Sequence, residues 1–249
     1  MKSLFNLLII STIILIASCK QPVKPIDIVD SPQADVSINF INQAGGVNIA
    51  EGPLNYTNSA GNLYSVDLLK YYVTNVILIK EDGSEFKLNN YDLINAFDAN
   101  YSNVNALNVP NGNYTSMKFY LGVDPTRNHT GAQDGDLDPK NNMIWTWSTG
   151  YIFFKHEGFY KDLSGANKVV QFHLGTDAAL STVQIPISLT VAGIDKKMNI
   201  IFDLNKMYNS PMLDFNLGNI YMSDGASDAK WISDMVNNTN DAFSFKNVE

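Results

Sequence analysis

The sequence predicts an all-β fold: an antiparallel β-sandwich, immunoglobulin-like or Greek-key, with long loops and one or two short helices near the C-terminus. Three observations predict it. Apolar and polar residues alternate with period two along most of the chain after residue 35, the mark of half-buried strands. Asp-Gly and Pro-Asn-Gly turn signals punctuate that alternation. Helical spacing is confined to two short stretches. With 45% apolar residues and no internal repeat, residues 35–249 carry core enough for one domain.

The chain opens with Lys2 and an apolar run over residues 4–17, broken only by Asn6, Ser11 and Thr12. The run is too short to span a bilayer and has the layout of an export signal. It ends in Ile16-Ala17-Ser18-Cys19, which resembles the lipobox of bacterial lipoproteins, where the cysteine thiol is lipidated and the chain is cut before it. Residues 1–18 are therefore expected to be removed and Cys19 to anchor the protein to a membrane it does not cross. Cys19 is the only cysteine, so no internal disulfide can form and the fold rests on its core. Residues 19–34 follow as an extended, proline-bearing tether. Lys20 and Gln21 occupy positions where surface-directed lipoproteins of Bacteroidetes often carry acids. That favours an outer-membrane lipoprotein on the periplasmic face.

The elements follow in order. Val36, Ile38 and Phe40 alternate with polar partners in a first strand. Residues 71–80 and 85–88 flank Asp82-Gly83 and read as a hairpin. Pro110-Asn111-Gly112 turns the chain into a strand over 114–122. Strands are expected over 145–159, 168–174, 184–192 and 198–202, with Gly193-Ile194-Asp195 between the last two. A turn of helix is expected within 203–209. A second helix is expected over 227–237, with Ser227 or Asp228 as N-cap and Trp231 and Met235 on one side. The longest loop, 123–142, carries Pro125, Pro139 and two glycines; loops of that length in compact domains tend to serve function.

Composition narrows the classes. A net charge of −8, no basic patch and a single arginine, Arg127, argue against nucleic acid, whose phosphates and bases are read by arginine. No Gly-x-Ser-x-Gly elbow, phosphate loop or paired-acid arrangement stands out, so no catalytic residues are assigned and a non-enzymatic role is expected.

The stretch "NNMIWTWSTGYIFFKHEG" holds Trp145 and Trp147 one residue apart. On a strand they would share a face with Met143. They would then serve as core, as a glycan-stacking platform or as indoles beside a metal. Upstream, "DGDLDP" spaces Asp134, Asp136 and Asp138 as oxygen ligands are spaced in calcium loops. Pro139 and Trp145 stand where an EF-hand needs glycine and glutamate, so the readings left are a structural calcium site or a solvated acidic loop. Of the three histidines, His156 falls on a strand face and His173 near a strand end, both structural. His129, in the long loop, is free to approach a metal. His156 lacks the second histidine of a zinc-peptidase motif.

"YYVTNVIL", then "GNYTSMKFYLGVDPTRNHTGAQDGDLDPKNNMIWTWSTGYIFFKHEG", then "FHLG" resemble the MbnP-like family, which includes copper-binding proteins of methane oxidisers and lipoproteins of Bacteroidetes. The resemblance runs from about residue 36 to the C-terminus. It implies a copper ion held by histidines with a kynurenine made from tryptophan, and a dihaem protein of the cytochrome c peroxidase type as the oxidising partner. It marks Trp145 or Trp147 as the oxidisable indole and His129 as a neighbour of the motif. Asn42 and Asp92 stand where relatives often have histidine, so two expected imidazoles are missing, and copper sites draw on such donors. The expectation is a copper-handling envelope lipoprotein with His129 and Trp145 or Trp147 at the copper site. Asp134, Asp136 and Asp138 would hold calcium. The alternative is a glycan- or protein-binding lipoprotein using the Trp-x-Trp face.

Overall fold

The structure, a computed structural model, describes residues 32–146, 149–223 and 229–249. The expected export signal, Cys19, most of the expected tether, Trp147, Ser227 and Asp228 lie outside the described residues.

Strand β1 (Gln33–Ala44) keeps the expected alternation, with Val36, Ile38 and Phe40 in the core. It turns at Gly45-Gly46 into β2 (Val47–Asn48), and both glycines take the positive φ such a turn requires. Two short strands, β3 (Tyr56–Thr57) and β4 (Leu63–Tyr64), lead to β5 (Leu68–Lys80). β5 and β6 (Glu85–Lys87) form the predicted hairpin, with Gly83 at φ 83° and Asp82 Oδ1 accepting from Ser84 N at 2.9 Å. Next come β7 (Tyr91–Asn95), β8 (Asn103–Pro110) and β9 (Gly112–Leu121). The long loop is not structureless: it holds α1 (Pro125–Asn128) and two 3-10 turns at Gly135–Leu137 and Pro139–Asn141. β10 (Ile152–Lys161), β11 (Asn167–Gly175), β12 (Ser181–Val191) and β13 (Lys196–Asp203) follow. The predicted turn of helix is the 3-10 segment Lys206–Tyr208. The chain ends with β14 (Ile220–Met222), α2 (Ala229–Ala242) and β15 (Phe243–Val248).

Two sheets enclose the core. One runs β15-β13-β1, with β2 and β8 both on β1; the larger runs β12-β9-β5-β10-β11-β14, with β6 and β7 on β5. Among the described strands the pairings are antiparallel, as expected of the sandwich, except β1 with β13 and β11 with β14, which are parallel. The facing sheets bury interlocking rings, with Tyr71 and Phe202 4.6 Å apart and Phe119 and Phe243 5.0 Å apart.

Strands β7, β8 and β15 were not expected from the pattern. β8 breaks its alternation at Asn108, which sits in the left-handed region at φ 56°. α2 extends past residue 237 because Asn238 and Thr239 find partners inside: the Asn238 amide donates to Met207 O and Pro211 O, and Thr239 Oγ1 to Met235 O.

Candidate metal centre

The strand expected from residue 145 begins only at Ile152. Before it, Ile144 bridges to Tyr151, Trp145 N donates to Gly150 O at 3.2 Å, and Gly150 N donates to Thr146 O at 2.8 Å. Trp145 therefore sits at the start of a tight turn. The strand-face pairing of Met143 with Trp145 does not arise, and Trp147 lies outside the described residues. Gly150 closes the turn at φ 90°, and a Cβ there would lie 2.3 Å from Asn128 Oδ1. That oxygen accepts from Tyr151 N at 2.8 Å, which ties the turn to the end of α1.

The turn lays the indole of Trp145 across β11. A Cβ on Gly175 would meet the ring at 2.7 Å (Cζ3) and 2.9 Å (Cη2), and Tyr151 O at 2.5 Å. Trp145 is half-buried by this contact and packs against the core. Side chains alternate along a strand, so the face of Gly175 covered by Trp145 is the face that carries His173, two residues back and about 7 Å away.

His173 was expected to be a structural residue at a strand end. It lies within β11, buried on the outer face of the larger sheet, with Nε2 2.7 Å from Glu157 Oε1. Lys155 Nζ lies 3.4 Å from the same oxygen. Burial lowers the pKa of His173 and outweighs the bond to Glu157, so the imidazole is neutral at pH 7 and keeps a lone pair. Burial alone would raise Glu157, but Lys155 and His173 together hold its carboxyl below the usual range. The backbone is clamped here as well: Ser223 N donates to His173 O at 3.0 Å, and Ser223 Oγ accepts from Gly175 N at 2.6 Å.

His129 ends α1 and is exposed, with Nε2 3.1 Å from both oxygens of Asp177. Asn128 Nδ2 donates to the same carboxylate at 2.8 Å. Asp177 lies two residues beyond Gly175, so His129 and Trp145 meet the same end of β11. His156, by contrast, points inward and spends both ring nitrogens, on Tyr208 Oη at 2.6 Å and Ser65 O at 3.2 Å. Burial lowers its pKa to about 4.

The aspartates are dispersed rather than convergent. Asp134 is exposed at the start of a 3-10 turn. Asp136 Oδ2 accepts from Leu93 N at 2.8 Å, while its carbonyl accepts from Tyr72 Oη at 3.0 Å. Asp138 caps the next turn, accepting from Lys140 N at 2.9 Å, with Lys140 Nζ 3.0 Å away. Asn42 Oδ1 accepts from Tyr71 Oη at 2.9 Å. Asp92 accepts from Asn90 Nδ2 at 2.6 Å, and burial raises its pKa to about 6. Among the described residues, no group of three or more His, Cys, Asp or Glu is placed to hold a metal ion. A cleft of about 430 Å³ is lined by Asn75, Tyr91, Tyr120 and Asp124 rather than by these histidines.

Sequence reasoning placed His129 and Trp145 in one neighbourhood but missed His173 and Glu157. The available signal was the alternation of "KHEG" against "QFHLG": Lys155 and Glu157 on one strand and His173 on the other share an outer face once the two strands pair.

A family model described as MbnP matches residues 33–223 of the chain. Among solved structures, MbnP from Methylosinus trichosporium is similar at 17% identity and a TM-score of 0.49, over 79% of this chain and 83% of that one. No curated protein matches.

Proposed function

The chain belongs to the MbnP family, and from that premise we propose that it is a membrane-anchored copper-handling protein without enzymatic activity. Its centre lies where Trp145 covers Gly175 beside His173. One arrangement carries the reading: the buried imidazole of His173, its Nε2 2.7 Å from a carboxylate, lies on β11 two residues from Gly175, which the indole of Trp145 covers. Histidines that bind metals commonly pass their other N–H to a carboxylate, which fixes the tautomer and strengthens the ligand. Nδ1 of His173 would then serve as the donor. His129 repeats the arrangement with Asp177 at the exposed rim and is a second donor of the same kind. Imidazole is a donor that suits copper, whereas hard cations take carboxylate and carbonyl oxygens. Copper bound here would be sequestered or passed on. The protein's own part is to exclude water, hold the imidazole neutral and keep the indole against the site. The resemblance adds a dihaem partner and an oxidised Trp145 or Trp147, and Cys19 as the lipid anchor.

The glycan-platform reading asks for an open indole face. Trp145 is half-buried against Gly175 and the core, which favours the metal reading.

The test is elemental analysis by mass spectrometry of the full chain, purified without chelator and offered copper and calcium. Near-stoichiometric copper that is lost in His173→Ala, and reduced in His129→Ala, supports the reading. No copper in the unaltered chain sinks it. Calcium alone, lost in Asp134→Asn, would move the metal site to the loop. Peptide mass analysis after coexpression with a dihaem peroxidase tests whether either tryptophan becomes kynurenine.

A further inference from the structure

We propose that Met222 supplies a thioether to this centre and makes it selective for copper in the +1 state. The proposal rests on the copper reading above and adds a ligand and an oxidation state to it.

The argument is one of register. β14 lies beside β11 in parallel, with Gln171 opposite Ile220, Phe172 opposite Tyr221 and His173 opposite Met222. Paired residues of neighbouring strands turn to the same face of a sheet, and the strands lie about 4.8 Å apart. The neighbours fix the phase. Ile220 is 54% exposed, so it lies on the outer face with Gln171. Tyr221 turns inward, its ring 5.9 Å from that of Phe172 and 5.0 Å from that of Trp231. Met222 therefore returns to the outer face, directly beside His173. Two residues along β11 on that face, Trp145 covers Gly175. Imidazole, thioether and indole thus share one patch, carried by two strands and a pinned turn.

The placement of Met222 is held by its neighbour. Ser223 donates its N–H to His173 O, and its Oγ donates to Gly175 O at 2.9 Å while accepting from Gly175 N. The segment bearing the thioether cannot slide along β11 without breaking these bonds.

The hard donors nearby are already committed. Glu157 is engaged by His173 and Lys155, and Asp177 by His129 and Asn128. Asn42 and Asp92, where imidazoles were expected, bond to Tyr71 and Asn90 instead. Among the described residues the patch then offers the imidazole of His173 and the thioether of Met222, with Lys155 Nζ beside Glu157 and the imidazole of His129 at the rim. Soft sulfur ligands select copper(I), whereas copper(II) prefers a square array of nitrogen and oxygen donors. A centre short of imidazoles but provided with a thioether therefore suits the reduced ion.

The experiment compares the full chain with Met222→Leu, a swap of similar volume that leaves the strand its apolar side chain. Copper(I) affinity is read under anaerobic reducing conditions by competition with a chromophoric chelator, copper(II) affinity by competition in air, and sulfur scattering by X-ray absorption. The expected result is a sulfur scatterer in the unaltered chain that disappears in Met222→Leu. Copper(I) binding should weaken there by about tenfold or more while copper(II) binding changes by less than about threefold. Unchanged copper(I) affinity and no sulfur scatterer would overturn the proposal and leave the copper reading intact. If the unaltered chain binds neither ion, the proposal and the copper reading fall together.

Discussion

His156 and His173 differ in what their ring nitrogens are given to touch. His156 is closed off by Tyr208 and Ser65, and its pKa of about 4 stands well below the ordinary 6.5. The unfolded chain therefore takes up this proton first on acidification. The stability His156 contributes is fully present above pH 6.5 and is lost as pH falls toward 4, a change of roughly 3 kcal/mol by linkage. Asp92 works in the opposite sense. Its raised pKa of about 6 means the native state holds a proton that the unfolded state releases, so stability falls as pH rises from about 4 through 6. Between pH 4 and 6 the two slopes oppose each other. Asp92→Asn should raise the urea midpoint at pH 7 and leave a steeper loss of stability on acidification. A variant no more stable than the parent at pH 7 would show that Asp92 carries no such strain. At the same scale, Gly175→Ala should drive Trp145 off β11, because the added carbon would lie 2.7 Å from the ring and 2.5 Å from Tyr151 O. Overpacking of this kind costs about 1–3 kcal/mol. The indole's fluorescence should shift to the red, and an unchanged spectrum would contradict the contact.

At the scale of elements, α2 offers a sharper test than its length suggests. Trp231 is buried and stacked on Tyr221, with centroids 5.0 Å apart and planes 11° apart, yet its Nε1 has no hydrogen-bond partner among the described residues. Removing the ring as Trp231→Ala should cost about 3–5 kcal/mol. Trp231→Phe keeps an aromatic face and removes an unsatisfied donor whose burial costs about 1–3 kcal/mol. It should therefore stay within about 1.5 kcal/mol of the parent by denaturant titration. A loss as large as that of Trp231→Ala would show that the indole N–H has a partner. The β10–β11 hairpin was legible from its alternation, but its start was not. Met143, Trp145 and Trp147 are spaced as on one strand face, but Trp145 N bonds to Gly150 O, Gly150 N to Thr146 O and Tyr151 N to Asn128 Oδ1, which defers the strand to Ile152. Those partners lie on other segments or at the far side of the turn, where local periodicity carries no information.

For the whole molecule, β15 matters more than its position at the end suggests. It lies beyond the residues matched by the family model, yet it pairs along β13, and Phe243 packs on Phe40, Tyr71, Phe119 and Phe202. A chain ending at Ser223 would lose α2 and β15 together and open the aromatic core between the sheets. It should fail to fold cooperatively, measured as loss of a sigmoidal urea transition and of dispersed amide signals. A folded truncated chain would show that the matched span is sufficient.

The sequence by itself determined the all-β class, the order of the main strands, the Asp82-Gly83 hairpin and the family to which the chain belongs. These rest on period-two alternation, turn chemistry and motif strings, all of which are local. Only the tertiary structure decided which side chains share a face. His173, Glu157, Met222 and Trp145 come from three strands and a turn separated by up to about 80 residues, and strand register and direction, including the parallel β11–β14 pair, bring them to one face. It also gave Asp136 to the backbone of β7, through Leu93 N, while Asp138 caps its own turn through Lys140 N, so the even spacing of Asp134, Asp136 and Asp138 does not make them a group among the described residues. Spacing along a chain sets which side a residue can take; which partner waits on that side is set by the pairing of distant strands.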